Sequence, residues 1–231
     1  QMCIRDKYEA LSRIDRHDTT LMISDLFVIA EQLGCVWKLE KLCRNKALKA
    51  AVEKPEKVKL FLNVDGNIIQ DKAFIQGFTN RKAMKAGVPA SDIVFEITER
   101  SDIENYQILQ QIMKHYADQG YEIALDDVGA GHSGLNRVVN TTPDYLKADI
   151  ELVRDIHKYK KKEIMMKLLL DYCNATGAIL IAEGIETVQE LECLHSLGVH
   201  YGQGFFLGKP ERAFGNISAE SEEILERLNR R

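Results

Sequence analysis

Short apolar runs that end in polar residues alternate with longer helical patterns along this chain. Strands that alternate with helices in this way indicate a parallel α/β fold. Runs that are apolar throughout are typical of strands buried on both faces of a sheet. Five runs fit this description, at residues 58–63, 92–96, 122–127, 144–147 and 178–183.

Capping residues and terminal glycines delimit three helices between these strands. Each helical pattern starts at a residue whose side chain can cap the first turn and stops at a glycine: Ser24 to Gly34, Ser101 to Gly120 and Thr187 to Gly198. No Pro/Gly/Ser-rich hinge or low-complexity segment interrupts the alternation. The sequence therefore predicts one domain over residues 1–231.

Carboxylates, an amide and a lysine end the five predicted strands. In a parallel barrel every strand delivers its C-terminal end to the same face, so these groups should converge. Several carboxylates at close range cannot all stay ionised without raised pKa values or a cation. Oxygen ligands suit Mg²⁺ or Mn²⁺ rather than zinc, so the pattern predicts a divalent-metal site for phosphate-ester chemistry. The residues concerned are Asn63, Glu96, Asp126, Asp127, Lys147 and Glu183.

The adjacent aspartates Asp126 and Asp127 cannot both point to one side of a regular strand, because successive side chains alternate between its faces. We therefore place the pair at the strand end, where Gly129 and Gly131 allow the backbone to turn. Asp126 is the candidate for a carboxylate shared by two metals. Lys147 has two interpretations that its position leaves open: a barrel ion pair, or a cation that orients a metal-bound water and balances charge at the phosphate.

The amino-acid composition limits the expected binding partners and the expected cellular compartment. The 35 acidic and 31 basic residues give a net charge of -4, so a nucleic-acid polymer is not the expected partner. The five cysteines form no CxxC pair, which indicates reduced thiols. No apolar run of membrane-spanning length and no signal-peptide pattern is present. We expect a cytoplasmic protein, or the cytoplasmic domain of a membrane-anchored one, whose own surface makes no membrane contact.

Seven short motifs follow one another from about Tyr8 to Pro210. They are Glu9-Ala-Leu11 with Arg13, Leu-Phe-Leu-Asn63, Glu96-Ile-Thr-Glu99, Asp126-Asp127, Tyr145-Leu-Lys147, Ala182-Glu-Gly-Ile-Glu-Thr187 and Gly202-Gln-Gly204. In this order they resemble the EAL family of bacterial cyclic di-GMP phosphodiesterases. Each motif is weak alone, but seven in one order are specific.

The resemblance implies a TIM-like (β/α)8 barrel with one antiparallel strand at the N-terminus. It implies an enzyme that hydrolyses one phosphodiester bond of cyclic di-GMP to give linear pGpG, by means of a metal-activated water. Mg²⁺ or Mn²⁺ would be required, with two ions per site, and Ca²⁺ would inhibit. A homodimer through the loop after Asp127 is also implied. An upstream sensory or membrane-bound segment would make this domain part of a larger multidomain signalling protein.

Residue by residue, the resemblance implies that one metal is bound by Glu9, Asn63, Glu96 and Asp126, and the second by Asp126 and Asp127. The remaining residues of the motifs would serve the reaction and the nucleotide. Candidates for substrate contacts are Arg13, Gln1, Leu11 and Asp149.

Five further residues resemble groups that act in the chemistry. Lys147 would hold the attacking water. Glu183 would be a further metal ligand or the general base, while Glu186 and Gln203 would support the metal and water network. Glu99 would brace the loop after the aspartate pair.

The loop after the aspartate pair departs from the family pattern. It usually reads Asp-Asp-Phe-Gly-Thr-Gly-Tyr-Ser-Ser, and here Val128, Ala130, His132 and Gly134 replace the commoner residues. The alternative function is therefore a weak or inactive EAL domain that binds cyclic di-GMP or a protein partner. Retention of every metal-binding and water-positioning residue favours the active enzyme. The gaps from Ile4 to Tyr8 and from Ile14 to Ser24 are also shorter than in the family.

Overall fold

The fold is described from a computed structural model of the chain. Residues 7–14, 20–98, 106–129, 134–212 and 214–230 are described. They fall into two compact units. The N-terminal unit is Tyr8–Glu122, and the C-terminal unit is Ile123–Arg231 together with Lys7.

Among the described residues, the N-terminal unit carries three strands in the order β1-β2-β3, of which β2 and β3 are parallel. The first residue of β1, Lys7, is the one that belongs to the C-terminal unit. Strand β3 is the centre of its core, since Ile93, Val94, Phe95 and Ile97 are fully buried. Its described elements are β1 (Lys7–Glu9), α1 (Ile23–Gln32), α2 (Val36–Ala50), β2 (Lys59–Asp65), α3 (Phe78–Ala86), β3 (Ile93–Thr98) and α4 (Tyr106–Ala117).

The C-terminal unit carries four parallel strands in the order β4-β5-β6-β7, connected through helices. Helix α9, in the charged tail, packs on α8, where Arg227 lies 2.7 Å from Glu192. The described elements are β4 (Glu122–Val128), α5 (Gly134–Val139), β5 (Tyr145–Ala148), α6 (Ile150–Val153), α7 (Lys160–Thr176), β6 (Ile179–Ala182), α8 (Val188–Ser196), β7 (Tyr201–Gly202) and α9 (Ala219–Asn229). Glu122, the first residue of β4, is the last residue of the N-terminal unit.

All five predicted strands are confirmed, with ends displaced by no more than two residues. The short strands β1 and β7 were not predicted, because three and two residues are too few to show a periodicity. The predicted antiparallel N-terminal strand lies outside the described residues. The described cysteines, Cys35, Cys43, Cys173 and Cys193, are free thiols, as predicted.

The predicted helix caps have mixed outcomes. Thr187 caps α8 as predicted, because its hydroxyl accepts the Glu190 N–H. The prediction for Ser24 is wrong: α1 begins at Ile23, and the carboxylate of Asp25 accepts the N–H of Met22 at 2.7 Å. Ser24 lies within the first turn, and Asp25, the third helical residue, reaches back to the N–H of the N-cap residue Met22. The predicted cap at Ser101 lies outside the described residues.

Within the described ranges, no helix is both long and apolar enough to cross a membrane.

Candidate active site

Asp126 and Asp127 lie at a β-bulge inside strand β4. The register between β4 and β5 shifts between Leu125 and Val128, so both aspartates lie opposite the single residue Lys147 of β5. A bulge of this kind places two residues of one strand against one residue of its partner. The bulge therefore brings two carboxylates and one ammonium group to the same place in the sheet.

The bulge requires an unusual backbone conformation at Asp127. This residue has a φ of 55°, in the left-handed region that side chains other than glycine rarely adopt. The pair thus lies next to the strand end, as predicted, although β4 continues for one residue beyond it, to Val128. Gly129 has a positive φ of 109° as predicted, and Gly131 lies outside the described residues. Backbone strain held in place by surrounding structure is characteristic of functional sites.

Lys147 is a buried cation between two carboxylates. Its side chain is 3% exposed, and Nζ lies 2.7 Å from Glu183 Oε1 and 3.2 Å from Asp126 Oδ1. Of the two roles left open by the sequence, the ion pair is therefore present. The other role, holding a water, stays a prediction.

The carboxylates of Asp126, Asp127 and Glu183 each offer an oxygen within 4.8 Å of the others. The pKa of Asp127 is raised to about 6, mainly by burial and also by the charges of Asp126 and Asp149, against the opposing effect of Lys147. Excess negative charge at close range is what a divalent cation neutralises, and carboxylate oxygens are the ligands that Mg²⁺ and Mn²⁺ prefer. The three residues thus fit a hard divalent metal ion.

Asp127 should make the stability of the metal-free protein depend on pH. Its pKa is about 6 in the folded chain against an ordinary value of 3.8, so its proton stabilises the fold below the lower value. That stabilisation is lost as the pH rises through the folded value. We expect the loss to be about 1 kcal/mol in the free energy of unfolding, allowing for the partial exposure of the group.

Urea unfolding of the metal-free protein between these pH values checks this expectation. The variant Asp127→Asn should lose the pH dependence, whereas the exposed Asp171→Asn should keep it. An Asp127→Asn variant with the wild-type pH dependence would show that other groups are responsible.

The loop after β6 carries Glu183 and is fixed to the loop that carries Gln203. The Gln203 amide donates to Glu183 Oε1, and the Gln203 backbone N–H donates to Ala182 O at 2.8 Å. In the opposite direction, Ile185 N–H donates to Gln203 O at 3.0 Å. These hydrogen bonds hold the carboxylate of Glu183 in one orientation.

Gly204 is required by the close approach of these two loops. A Cβ at Gly204 would lie 2.2 Å from both N and O of Ile185, closer than any side-chain carbon can approach backbone. The second glycine of the Gly202-Gln-Gly204 motif therefore has a structural explanation: Gly204 allows the close approach of the two loops by which Gln203 reaches Glu183.

Three of the predicted metal ligands come together in the N-terminal unit. Asn63 on β2 lies opposite Glu96 on β3, and its amide donates to Glu9 Oε1 at 3.0 Å. Glu96 is fully buried. The prediction that these residues share one metal with Asp126 involves both units and stays a prediction.

A buried ion pair that was not predicted from the sequence holds the end of β2. Glu40 on α2 pairs with Arg44 one turn later, and both are 2% exposed. Glu40 Oε1 accepts the N–H of Asp65 at 2.5 Å, and Arg44 donates to Tyr116 Oη at 3.0 Å and to Thr79 Oγ1 at 3.2 Å. Burial raises the pKa of Glu40 to about 6, although Arg44 and the Asp65 N–H oppose the shift. The i,i+4 spacing of opposite charges was the available signal.

The predicted substrate contacts that lie within the described residues differ in their exposure. Arg13 and Leu11 are exposed, as expected of residues that meet a ligand. Asp149 is buried and caps α6 by accepting the Glu151 N–H at 2.7 Å. Glu186 is exposed. The predictions for Gln1 and Glu99 fall outside the described residues.

Comparison with known sequences returns one family. A family model described as the EAL domain matches residues 4–210. Cyclic di-GMP phosphodiesterase PdeA of Borreliella burgdorferi is 26% identical over 212 residues, which are 90% of this chain and 32% of that protein. Cyclic di-GMP phosphodiesterase PdeF of Escherichia coli is 25% identical over 223 residues, 95% of this chain and 30% of that protein. The chain thus spans about a third of the length of these relatives.

Solved structures show the same likeness. BlrP1 of Klebsiella pneumoniae, in a calcium and cyclic di-GMP complex, has a TM-score of 0.78 at 28% identity, over 89% of this chain and 51% of that chain. BlrP1 has also been solved with manganese and cyclic di-GMP. A standalone versatile EAL protein from Vibrio cholerae O395, bound to cyclic di-GMP, has a TM-score of 0.79 at 25% identity, over 94% of this chain and 90% of that chain. The predicted TIM-like α/β fold class is confirmed.

Proposed function

We propose that this chain, which belongs to the EAL domain family, hydrolyses cyclic di-GMP to linear pGpG. The observation that carries the proposal is the β4 bulge, which places Asp126 and Asp127 opposite Lys147, with Glu183 directly after the end of strand β6. Relatives named cyclic di-GMP phosphodiesterases and related structures that contain this nucleotide support the choice of substrate.

Asp126, Asp127 and Glu183 would hold Mg²⁺ or Mn²⁺ in the C-terminal unit. A bound divalent ion would supply positive charge beside the phosphate oxygens. The family pattern adds Glu9, Asn63 and Glu96 as ligands and a second ion per site. Inhibition by Ca²⁺ follows from the same resemblance, since Ca²⁺ takes more ligands at longer distances than Mg²⁺.

In the reaction, the oxygen of a water molecule bonds to phosphorus while the bond from phosphorus to the ribose 3′ oxygen breaks. The water gives up a proton, and the departing ribose oxygen takes one. We assign Lys147 to hold the attacking water, because its ammonium group is fixed between Asp126 and Glu183. Gln203 keeps Glu183 in place by its amide hydrogen bond, and the buried setting strengthens these electrostatic interactions.

Other parts of the proposal rest on the resemblance alone. They are the substrate contacts of Arg13 and Leu11, and a homodimer through the loop that follows Asp127. Location in the cytoplasm, as an independent protein or as the cytoplasmic part of a larger signalling protein, is proposed from the composition of the sequence as well. Analytical ultracentrifugation with and without cyclic di-GMP would test the dimer.

A hydrolysis assay tests the proposed function directly. The purified chain should convert cyclic di-GMP to pGpG with Mn²⁺ or Mg²⁺, and should be inactive with Ca²⁺ or after treatment with EDTA. Chromatography of the nucleotides measures the product. Intact cyclic di-GMP after incubation with Mn²⁺ would refute the enzyme. Binding of the nucleotide without turnover would favour the alternative function, a cyclic di-GMP sensor.

A matched pair of variants tests the site. Asp126→Asn keeps the size of the side chain but removes one charge from the cluster, so turnover should fall at least about 100-fold. Asp171→Asn removes one charge from the exposed face of α7 and should leave turnover unchanged. Equal activity in the two variants would show that the bulge is not the reaction site.

A further inference from the structure

Glu190 is a buried carboxylate on α8 with no part in the chemistry described above. Its side chain is 3% exposed. One oxygen, Oε2, accepts the backbone N–H groups of Glu186 at 3.0 Å and of Thr187 at 2.9 Å. The other oxygen, Oε1, accepts the N–H of Asp155 at 2.8 Å. One side chain therefore binds two separate segments of the backbone.

A helix cap explains only part of this arrangement. In a capping box the third residue of the helix accepts the N–H of the N-cap residue, which here is Thr187. The hydrogen bond from Glu186 lies outside the helix, and the bond from Asp155 comes from 35 residues earlier in the chain. The two additional hydrogen bonds indicate a role beyond helix stability.

The segment that ends at Glu186 and Thr187 begins at Glu183. Four N–H groups of this segment have acceptors. The N–H of Glu183 donates to Ala148 O and that of Ile185 to Gln203 O, both at 3.0 Å. The N–H groups of Glu186 and Thr187 donate to the Glu190 carboxylate. Removing the carboxylate would therefore release one end of the loop that carries Glu183.

The second segment lies around Asp155, which has a φ of 57°. A left-handed conformation in a residue other than glycine persists only where surrounding contacts hold it, and Glu190 provides one. Earlier in this segment Ile150 lies against Gly184, where an added Cβ would be 2.2 Å from Ile150 Cγ1. The loop and the segment from Ile150 to Asp155 thus meet at two points.

We propose that Glu190 is a positioning residue, whose carboxylate fixes the loop from Glu183 to Thr187 against the Asp155 turn and thereby holds Glu183 beside Lys147. Its effect on turnover rests on the proposed function. Its effect on the loop and on metal binding does not. Groups that orient metal ligands typically change metal affinity or activity 10–100-fold when they are replaced.

Glu190→Gln is the test variant, because it keeps the size of the side chain and replaces one accepting oxygen by an amide group that cannot accept. Glu190→Asp is the second variant, since it keeps the charge and shortens the reach to Asp155. Thr187→Val is the matched control. It removes the hydroxyl that caps α8 at 3.3 Å and leaves the three hydrogen bonds to the Glu190 carboxylate.

Three measurements are made on each folded variant: hydrogen exchange of the amides at 155 and 183–187, Mn²⁺ affinity by calorimetry, and kcat and KM for cyclic di-GMP. In Glu190→Gln we expect faster exchange in both segments, about tenfold weaker Mn²⁺ binding and about tenfold lower kcat, with KM within about twofold of wild type. Glu190→Asp should change in the same direction, and Thr187→Val should keep wild-type Mn²⁺ affinity and kcat.

Wild-type Mn²⁺ affinity and kcat in both Glu190 variants would overturn the inference, whatever the exchange rates. The same holds if Thr187→Val lowers Mn²⁺ affinity and kcat as much as Glu190→Gln, since helix stability would then be the cause. A wild-type chain that binds Mn²⁺ without turnover refutes the proposed function alone, and weaker Mn²⁺ binding in Glu190→Gln would still support the inference. A wild-type chain that neither binds Mn²⁺ nor hydrolyses cyclic di-GMP would overturn both the proposed function and the inference about Glu190.

Discussion

Replacing Lys147 with methionine is expected to lower the turnover of cyclic di-GMP by about 100–1,000-fold. Methionine keeps the approximate length of the side chain but removes the ammonium group that lies 2.7 Å from Glu183 and 3.2 Å from Asp126. The variant loses both the fixed N–H donors and the positive charge at the place where the phosphate would react. Steady-state kinetics with Mn²⁺ measure the effect.

The same variant separates the two roles that Lys147 can have. As part of an ion pair alone, its loss would destabilise the metal-free protein by about 3–5 kcal/mol, and saturating Mn²⁺ would restore both stability and turnover. As the group that holds the water, its loss would leave turnover low even at saturating Mn²⁺. We expect the second result.

Lys167→Met is the control for Lys147→Met. Lys167 pairs with Asp171 at 3.2 Å on α7, and both side chains are more than half exposed. Its replacement should change neither turnover nor the free energy of unfolding by a measurable amount. Full turnover of Lys147→Met at saturating Mn²⁺ would contradict the role assigned to Lys147.

Replacing Glu40 with alanine is expected to lower the free energy of unfolding by about 3–5 kcal/mol. The change leaves the Arg44 guanidinium group buried without its carboxylate, and it removes the acceptor of the Asp65 N–H. Because domains are commonly stable by only about 5–15 kcal/mol, a large part of the total would be lost. Urea denaturation followed by circular dichroism measures it.

Two comparisons show whether the buried, unpaired charge of Arg44 causes the expected loss of stability in Glu40→Ala. Asp118→Ala breaks an exposed ion pair with Lys114 in the same unit and should cost no more than about 0.5 kcal/mol. The double variant Glu40→Leu with Arg44→Met leaves no buried charge and should be more stable than Glu40→Ala. A double variant that is less stable than Glu40→Ala would indicate that packing and neutral hydrogen bonds decide the stability of this region.

Much of the fold was predictable because its signals are local. Each of the five strands is a short apolar run, and burial on both faces selects for such runs wherever helices cover a parallel sheet. The cap at Thr187 was equally local, because an N-cap residue and its partner lie three positions apart. At Ser24 the same rule failed, because the helix begins one residue earlier and the N–H of its N-cap residue, Met22, donates to Asp25 instead.

The candidate site was predictable as a set of residues but not as a geometry. Polar residues at strand ends pointed to Asp126, Lys147 and Glu183, and the structure brings them together. Strand alternation showed that regular backbone could not turn both Asp126 and Asp127 to one side, but it did not show that a bulge within β4 is what does so. A bulge depends on which strand lies alongside, and neighbouring strands are distant in the sequence.

The sequence by itself determined five of the strands, the helix start at Thr187 and the identity of the carboxylates, because these depend on side-chain type and on spacings of a few residues. Only the tertiary structure decided how Gly204 approaches Ile185, how Glu40 binds the end of β2, and how Glu190 binds Asp155. These contacts join residues between 19 and 35 positions apart. Their formation depends on the packing of whole strands and helices, which no local pattern specifies.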